Sequence, residues 1–127
     1  LLVRFSIKSQ RLAVLVAHAL DSEWGAEGQR VWWDETSQLL RHKRVAGLPL
    51  IVLIDANARV GSIVSSAFGA EGAEMQCSSG LHFHQLLVDH GLALPATMWP
   101  GPHATWTSPK QGARGHRLDY VALPVAW

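Results

Sequence analysis

The stretch that most constrains this chain is Leu48-Pro49-Leu50-Ile51-Val52-Leu53-Ile54-Asp55-Ala56-Asn57-Ala58, an apolar run that stops abruptly in two polar side chains. From Leu50 to Ile54 no residue offers a polar face, so a strand here is expected to be buried on both sides, as in the inner strand of a sandwich or a parallel sheet. Side chains alternate along a strand at a rise of about 3.3 Å per residue, which puts Asp55 and Asn57 on the same side, about 6.6 Å apart, with Ala56 facing away. One carboxylate and one carboxamide at that spacing can share a metal ion, a water or a phosphate. The same two residue types also open turns by hydrogen-bonding their own backbone, and the run alone does not choose between these readings.

Composition sets the outer bounds. A chain of 127 residues with 48% apolar and 17% charged residues is one domain that packs a core. Its 11 basic and 10 acidic residues leave a formal charge of +1, so any attraction to nucleic acid must be local, and no membrane partner is expected. No apolar stretch approaches the ~20 residues of a membrane helix, and the first residues lack the charged and apolar segments of a secretion signal. Cys77 has no cysteine partner for a disulfide and no Cys/His spacing around it for structural zinc. The chain opens on Leu1 and ends at Trp127, just after what reads as a strand, so it is expected to be a piece of a longer domain.

Val3, Phe5 and Ile7 alternate with Arg4, Ser6 and Lys8, which predicts a half-buried strand, and a turn over Lys8 to Arg11 leads into a second, apolar strand from Leu12 to Ala17 with His18 at its tip. From Glu27 to Lys43 the pattern is helical, with Val31, Trp32, Glu35, Leu39 and His42 near one stripe; Trp24, Trp32 and Trp33 read as core filling. Arg41, His42, Lys43 and Arg44 crowd the last turn, where cations complement the helix dipole, and Gly47 closes it. Arg59 to Gly80 lacks periodicity and reads as a long loop. Ser78 or Ser79 caps a helix from Leu81 to His90, on which His82, His84 and His90 do not share one face and so do not make a zinc site. Leu92 to Pro95 is a short strand. Ala104 to Thr107 and Arg117 to Leu123 read as two strands joined by Ser108 to His116, with Asp119 leaving the sheet opposite Tyr120. Lys110, Arg114 and Arg117 form a local basic patch there, suited either to phosphate or to a solvated hairpin.

Taken in order, a strand ending in Val16-Ala17-His18-Ala19, a helix, a strand ending in Asp55-Ala56-Asn57-Ala58, a helix, Thr105-Trp106 and Arg117-Leu118-Asp119-Tyr120-Val121 resembles the endonuclease/exonuclease/phosphatase superfamily, the group of pancreatic-type DNase, apurinic endonucleases and the endonuclease domains of non-LTR retroelements. In that family the strand motif is Gly-Asp-Phe-Asn-Ala; here Ile54 and Ala56 replace Gly and Phe while both polar residues keep their spacing. The segment from Thr105 to Tyr120 looks most like the apurinic and retroelement branches, and Leu20 stands where the DNase-type strand has Pro.

The resemblance implies an α+β fold, a four-layer α/β/β/α sandwich of the DNase-like type, incomplete in this chain, with residues 1–127 a partial domain that lacks the N-terminal Asn/Glu strands and the C-terminal Asp-His segment. It implies a metal-dependent phosphodiesterase, in the first place an endonuclease nicking DNA, with Mg²⁺ or Mn²⁺ at Asp55 and Asn57. Asp55 would accept a proton from, or orient, the attacking water; Asn57 would hold the scissile phosphate or that water; His18 would contact the phosphate; Asp119 would fix the tautomer of a catalytic histidine. Thr105, Trp106, Arg114 and Arg117 would border the nucleic-acid groove. A fused reverse transcriptase domain is the partner a retroelement module implies, and an intracellular, nuclear setting goes with it. Without the missing segments the chain is expected to be weakly active or inactive alone. Two other readings stay open: a noncatalytic fragment that binds nucleic acid or protein through the basic hairpin, and a phosphoinositide-type phosphatase of the same superfamily.

Overall fold

The computed structural model describes residues 1–43 and 47–127. Strands β1 (Leu2–Ile7) and β2 (Gln10–His18) form an antiparallel hairpin whose turn takes Lys8 into the left-handed region at φ 56°. Helix α1 (Gly25–Lys43) then carries the chain back, so that β3 (Leu50–Asp55) pairs with β2 in parallel. Helix α2 (Ser78–Asp89) and the short β4 (Leu92–Ala93) follow. A small ribbon of β5 (Trp106–Thr107) and β6 (Gly115–His116) stands apart from the main sheet, and β7 (Asp119–Pro124) completes it in the order β1-β2-β3-β7-β4. Strand β7 therefore pairs with β3 and β4 rather than with the Ala104–Thr107 segment, and Arg117 and Leu118 precede it as a connection. Among the described residues no helix is long and apolar enough to cross a membrane.

One face of the sheet is covered by both helices. Ala13 and Leu15 of β2, Leu50, Val52 and Ile54 of β3, and Tyr120 and Ala122 of β7 meet Trp33 and Leu40 of α1 and Phe83, Leu86 and Leu87 of α2 in one core. The Trp33 ring stacks on Phe83 at 5.2 Å, Phe83 leans on Tyr120 at 5.3 Å, and Trp33 donates its indole N–H to Ser79 Oγ at 2.9 Å. Helix α1 thus buries Gln29, Trp33, Ser37 and Leu40 instead of the stripe through Val31 and Leu39, both of which are exposed. The two polar members are satisfied locally: Gln29 donates to the Leu20 and Asp21 carbonyls, and Ser37 bonds His90. Trp24 is exposed and fills no core. Ser79 lies inside α2, whose N-cap position is taken by Cys77 with no side-chain cap bond. Arg44, the last member of the basic cluster on α1, lies outside the described residues.

The other face of the sheet is uncovered, which corrects the expectation that β3 is buried on both sides. Register puts Val3 and Phe5, Val14 and Val16, Ile51 and Leu53, and Val121 on it, and Val16, Leu53 and Val121 are 45%, 39% and 50% exposed. Of the four layers of an α/β/β/α sandwich the chain supplies a helix layer and one sheet.

Candidate active site

The same register brings polar residues together at one end of that open face. His18 is the partner of Asp55 across the parallel pair, and Asp55 is the partner of Asp119 across the antiparallel pair. Cross-strand partners share a face. His18, Asp55 and Asp119 therefore form one row, and it continues the apolar positions Val16, Leu53 and Val121 of the same strands. Asn57 joins the row from beyond the end of β3. Its backbone enters the left-handed region at φ 43°, a conformation that Asn tolerates better than most residues.

Each member is held by backbone. Asp55 Oδ1 accepts the Asn57 N–H at 3.0 Å, the local turn that Asp favours, so the turn reading and the shared-ligand reading of Asp55 and Asn57 are realised at once. Asn57 Nδ2 donates to the Ala19 carbonyl at 2.8 Å, which fixes the amide orientation because a carbonyl only accepts. His18 Nε2 lies 3.2 Å from Asp55 Oδ2 and 3.3 Å from Asn57 Nδ2. With a hydrogen on Nε2 it donates to the carboxylate, and with a bare lone pair it accepts from the amide. Thr105 Oγ1 accepts the Leu118 and Asp119 N–H groups at 3.0 and 3.1 Å, so Thr105 positions the start of β7. The Tyr120 hydroxyl, on the buried side, lies 2.9 Å from the Ala58 carbonyl and 2.7 Å from the Arg117 carbonyl, tying the segment after Asn57 to the segment before Asp119. Burial raises the Tyr120 phenol well above its ordinary range.

Asp55, Asn57, Asp119 and Thr105 line a cleft of about 540 Å³ together with Arg59, Trp106 and His116. The basic patch is smaller than a count of charges implies. Arg117 is 5% exposed, and its guanidinium bonds the His103 carbonyl at 2.9 Å and His103 Nδ1 at 2.6 Å, so it does not border the groove. Lys110 and Arg114 remain exposed, and Trp106 presents nearly half its surface. Some residues at the cleft lie outside the sequence motifs. Arg59 and His116 line the cleft, and Glu74 anchors His116 from the far end of the long loop. Burial alone would raise the Glu74 carboxyl, but the bonds from His116 and from the Arg117 N–H, with the His116 and Arg114 charges, hold it below the usual carboxylate range.

The donor chemistry suits a hard divalent cation: Asp55 and Asp119 offer carboxylate oxygens, and the Asn57 carboxamide oxygen accepts no hydrogen bond among the described residues. Mg²⁺ needs only one or two protein carboxylates because it keeps several waters. No group of three or more His, Cys, Asp and Glu side chains suited to an all-protein cage occurs among the described residues.

No protein-family model and no curated protein sequence matches the chain. Solved structures do. The endonuclease domain of TRAS1, a telomere-specific non-LTR retrotransposon, superposes with a TM-score of 0.62 at 16% identity over 97% of this chain and 49% of its own. The fold is DNase-like. NExo from Neisseria, described as a 3′ phosphatase bound to a product DNA hairpin, gives 0.62 at 16% identity over 98% of this chain and 52% of its own. NExo from Neisseria meningitidis, described as a 3′-5′ exonuclease, gives 0.61 at the same identity and coverage. The chain thus spans about half the length of the DNase-like structures it matches.

Proposed function

We propose that the chain carries the catalytic row of a metal-dependent phosphodiesterase that nicks DNA, of the retroelement type. The observation that supports this best is the gathering of His18, Asp55 and Asn57 within hydrogen-bond reach of one another, with Asp119 opposite Asp55, beside the cleft that Asp55, Asn57 and Asp119 line in a DNase-like fold. In this reading Asp55 accepts the proton of the attacking water or orients it. Asn57, whose nitrogen is committed to Ala19, offers its carboxamide oxygen to the same water. His18 donates from Nε2 to a phosphate oxygen, and Asp119 holds the imidazole of a catalytic histidine in its tautomer. Asp55 and Asn57 would hold Mg²⁺ or Mn²⁺, which neutralises charge developing on the phosphate when bound. The exposed Trp106 lines the cleft and suits contact with bases, the exposed Arg114 near Glu74 suits contact with the backbone, and the burial of Arg117 weakens the alternative of a purely electrostatic binding fragment. A fused reverse transcriptase is the partner this reading calls for.

The test is Mg²⁺-dependent relaxation of supercoiled plasmid by this chain together with whatever its gene encodes on either side. Nicking should vanish with EDTA and fall by orders of magnitude in Asp55→Ala. Nicking that survives Asp55→Ala refutes the assignment.

A further inference from the structure

The cleft holds a second imidazole that the mechanism above does not use. His116 Nδ1 lies 2.5 Å from Glu74 Oε2, and the other oxygen of that carboxylate accepts the Arg117 N–H at 3.0 Å, so one glutamate grips two consecutive residues. The Trp106 ring lies nearly parallel to the imidazole, at 6.2 Å and 16°, and limits its rotation. A carboxylate only accepts, so Nδ1 carries the hydrogen and Nε2 is the atom left for other work. Nε2 has no hydrogen-bond partner among the described residues, and 29% of the side chain stays exposed on the cleft wall, whereas Glu74 behind it is 11% exposed.

The charges around the cleft say what that atom would meet. The wall presents Asp21, Asp55 and Asp119 against the single guanidinium of Arg59, and Arg117 is turned away into the structure. A phosphate entering beside three carboxylates is repelled unless N–H donors face it. His116 Nε2, facing the cleft with its ring held from behind by Glu74, is placed to be such a donor.

We propose that His116, aligned by Glu74, is a second phosphate-contacting imidazole of the cleft, presenting Nε2–H to a phosphate oxygen of bound DNA. Glu74 is its positioning residue. The proposal rests on the reading of the cleft as a site for phosphodiesters but not on catalysis there.

Binding of a short fluorescein-labelled DNA duplex in EDTA tests it, read by anisotropy. His116→Asn places its amide nitrogen where Nδ1 was and keeps the bond to Glu74, but has nothing at Nε2. It should melt like the parent and bind about tenfold more weakly, as loss of a charge-assisted bond implies. His116→Gln, whose nitrogen reaches the Nε2 place, should recover part of the affinity; Glu74→Ala, which frees the imidazole to turn, should weaken binding, and Glu74→Gln, whose amide oxygen still accepts from Nδ1, should restore most of it. Parent affinity in His116→Asn, or no duplex binding by the parent protein, overturns the proposal. Binding that depends on His116 in a protein that never nicks DNA upholds it and refutes only the phosphodiesterase reading. Nicking that depends on Asp55, with binding indifferent to His116, does the reverse.

Discussion

Replacing Asn57 by alanine and, separately, by glycine divides what its side chain does from what its backbone does. Both variants lose the Nδ2 bond to the Ala19 carbonyl, a contribution of about 1 kcal/mol that ties the end of β2 to the end of β3. Alanine must also hold φ 43°, which costs a residue with a Cβ about 1 to 2 kcal/mol and costs glycine almost nothing. Asn57→Ala should therefore lose about 2 to 3 kcal/mol and Asn57→Gly about 1 to 1.5 kcal/mol. For a chain of 127 residues each kcal/mol moves the midpoint by about 4 °C, so the two melts should separate by roughly 4 to 6 °C. Thermal unfolding followed by circular dichroism reads the difference, and nicking assays on the same samples should show both variants equally impaired. A glycine variant no more stable than the alanine variant would show that the left-handed turn is not what holds the carboxamide in place.

Two further variants probe the frame around the site. Tyr120→Phe removes the hydroxyl from the Ala58 and Arg117 carbonyls and should cost about 2 kcal/mol in urea unfolding; because the folded phenol is raised above its unfolded range, the parent should also lose stability as pH climbs past about 10, and the variant should lose less. Asp119→Asn takes one of two like charges out of directly opposed positions and should stabilise the fold by about 0.5 kcal/mol at low salt, less at high salt, while lowering nicking; a destabilised variant would refute the repulsion.

The elements that position the site were legible because they repeat. The two-residue period of β1, the unbroken apolar run of β3 and the helical spacing of α1 and α2 each announce themselves within a few residues, and their order along the chain matches a DNase-like fold. What escaped lies in packing between segments. Glu74 and His116 are 42 residues apart and meet because the aperiodic loop after β3 returns on itself, with Cys77 N–H bonded to the Arg59 carbonyl and Glu74 N–H to that of Val60. Arg117 counted as a free cation because charge counting is blind to burial, and His103, which captures it, carries no motif. The inward face of α1 was misplaced because Gln29 and Ser37 look like surface residues until the carbonyls and imidazole that satisfy them come into view.

On the phosphodiesterase reading proposed above, the row is kept for function and not for architecture. Two carboxylates at opposed cross-strand positions repel, and an exposed sheet end could carry neutral residues there with no loss of packing. The surrounding structure works to keep these instead. Thr105 holds the backbone of Asp119 in place, Asn57 accepts an unfavourable φ to reach Ala19, and Tyr120 clamps the two segments from beneath. On the reading proposed above, strain and like charge held in place by these separate contacts, beside a cleft, are kept for chemistry, since selection for stability alone would have removed them.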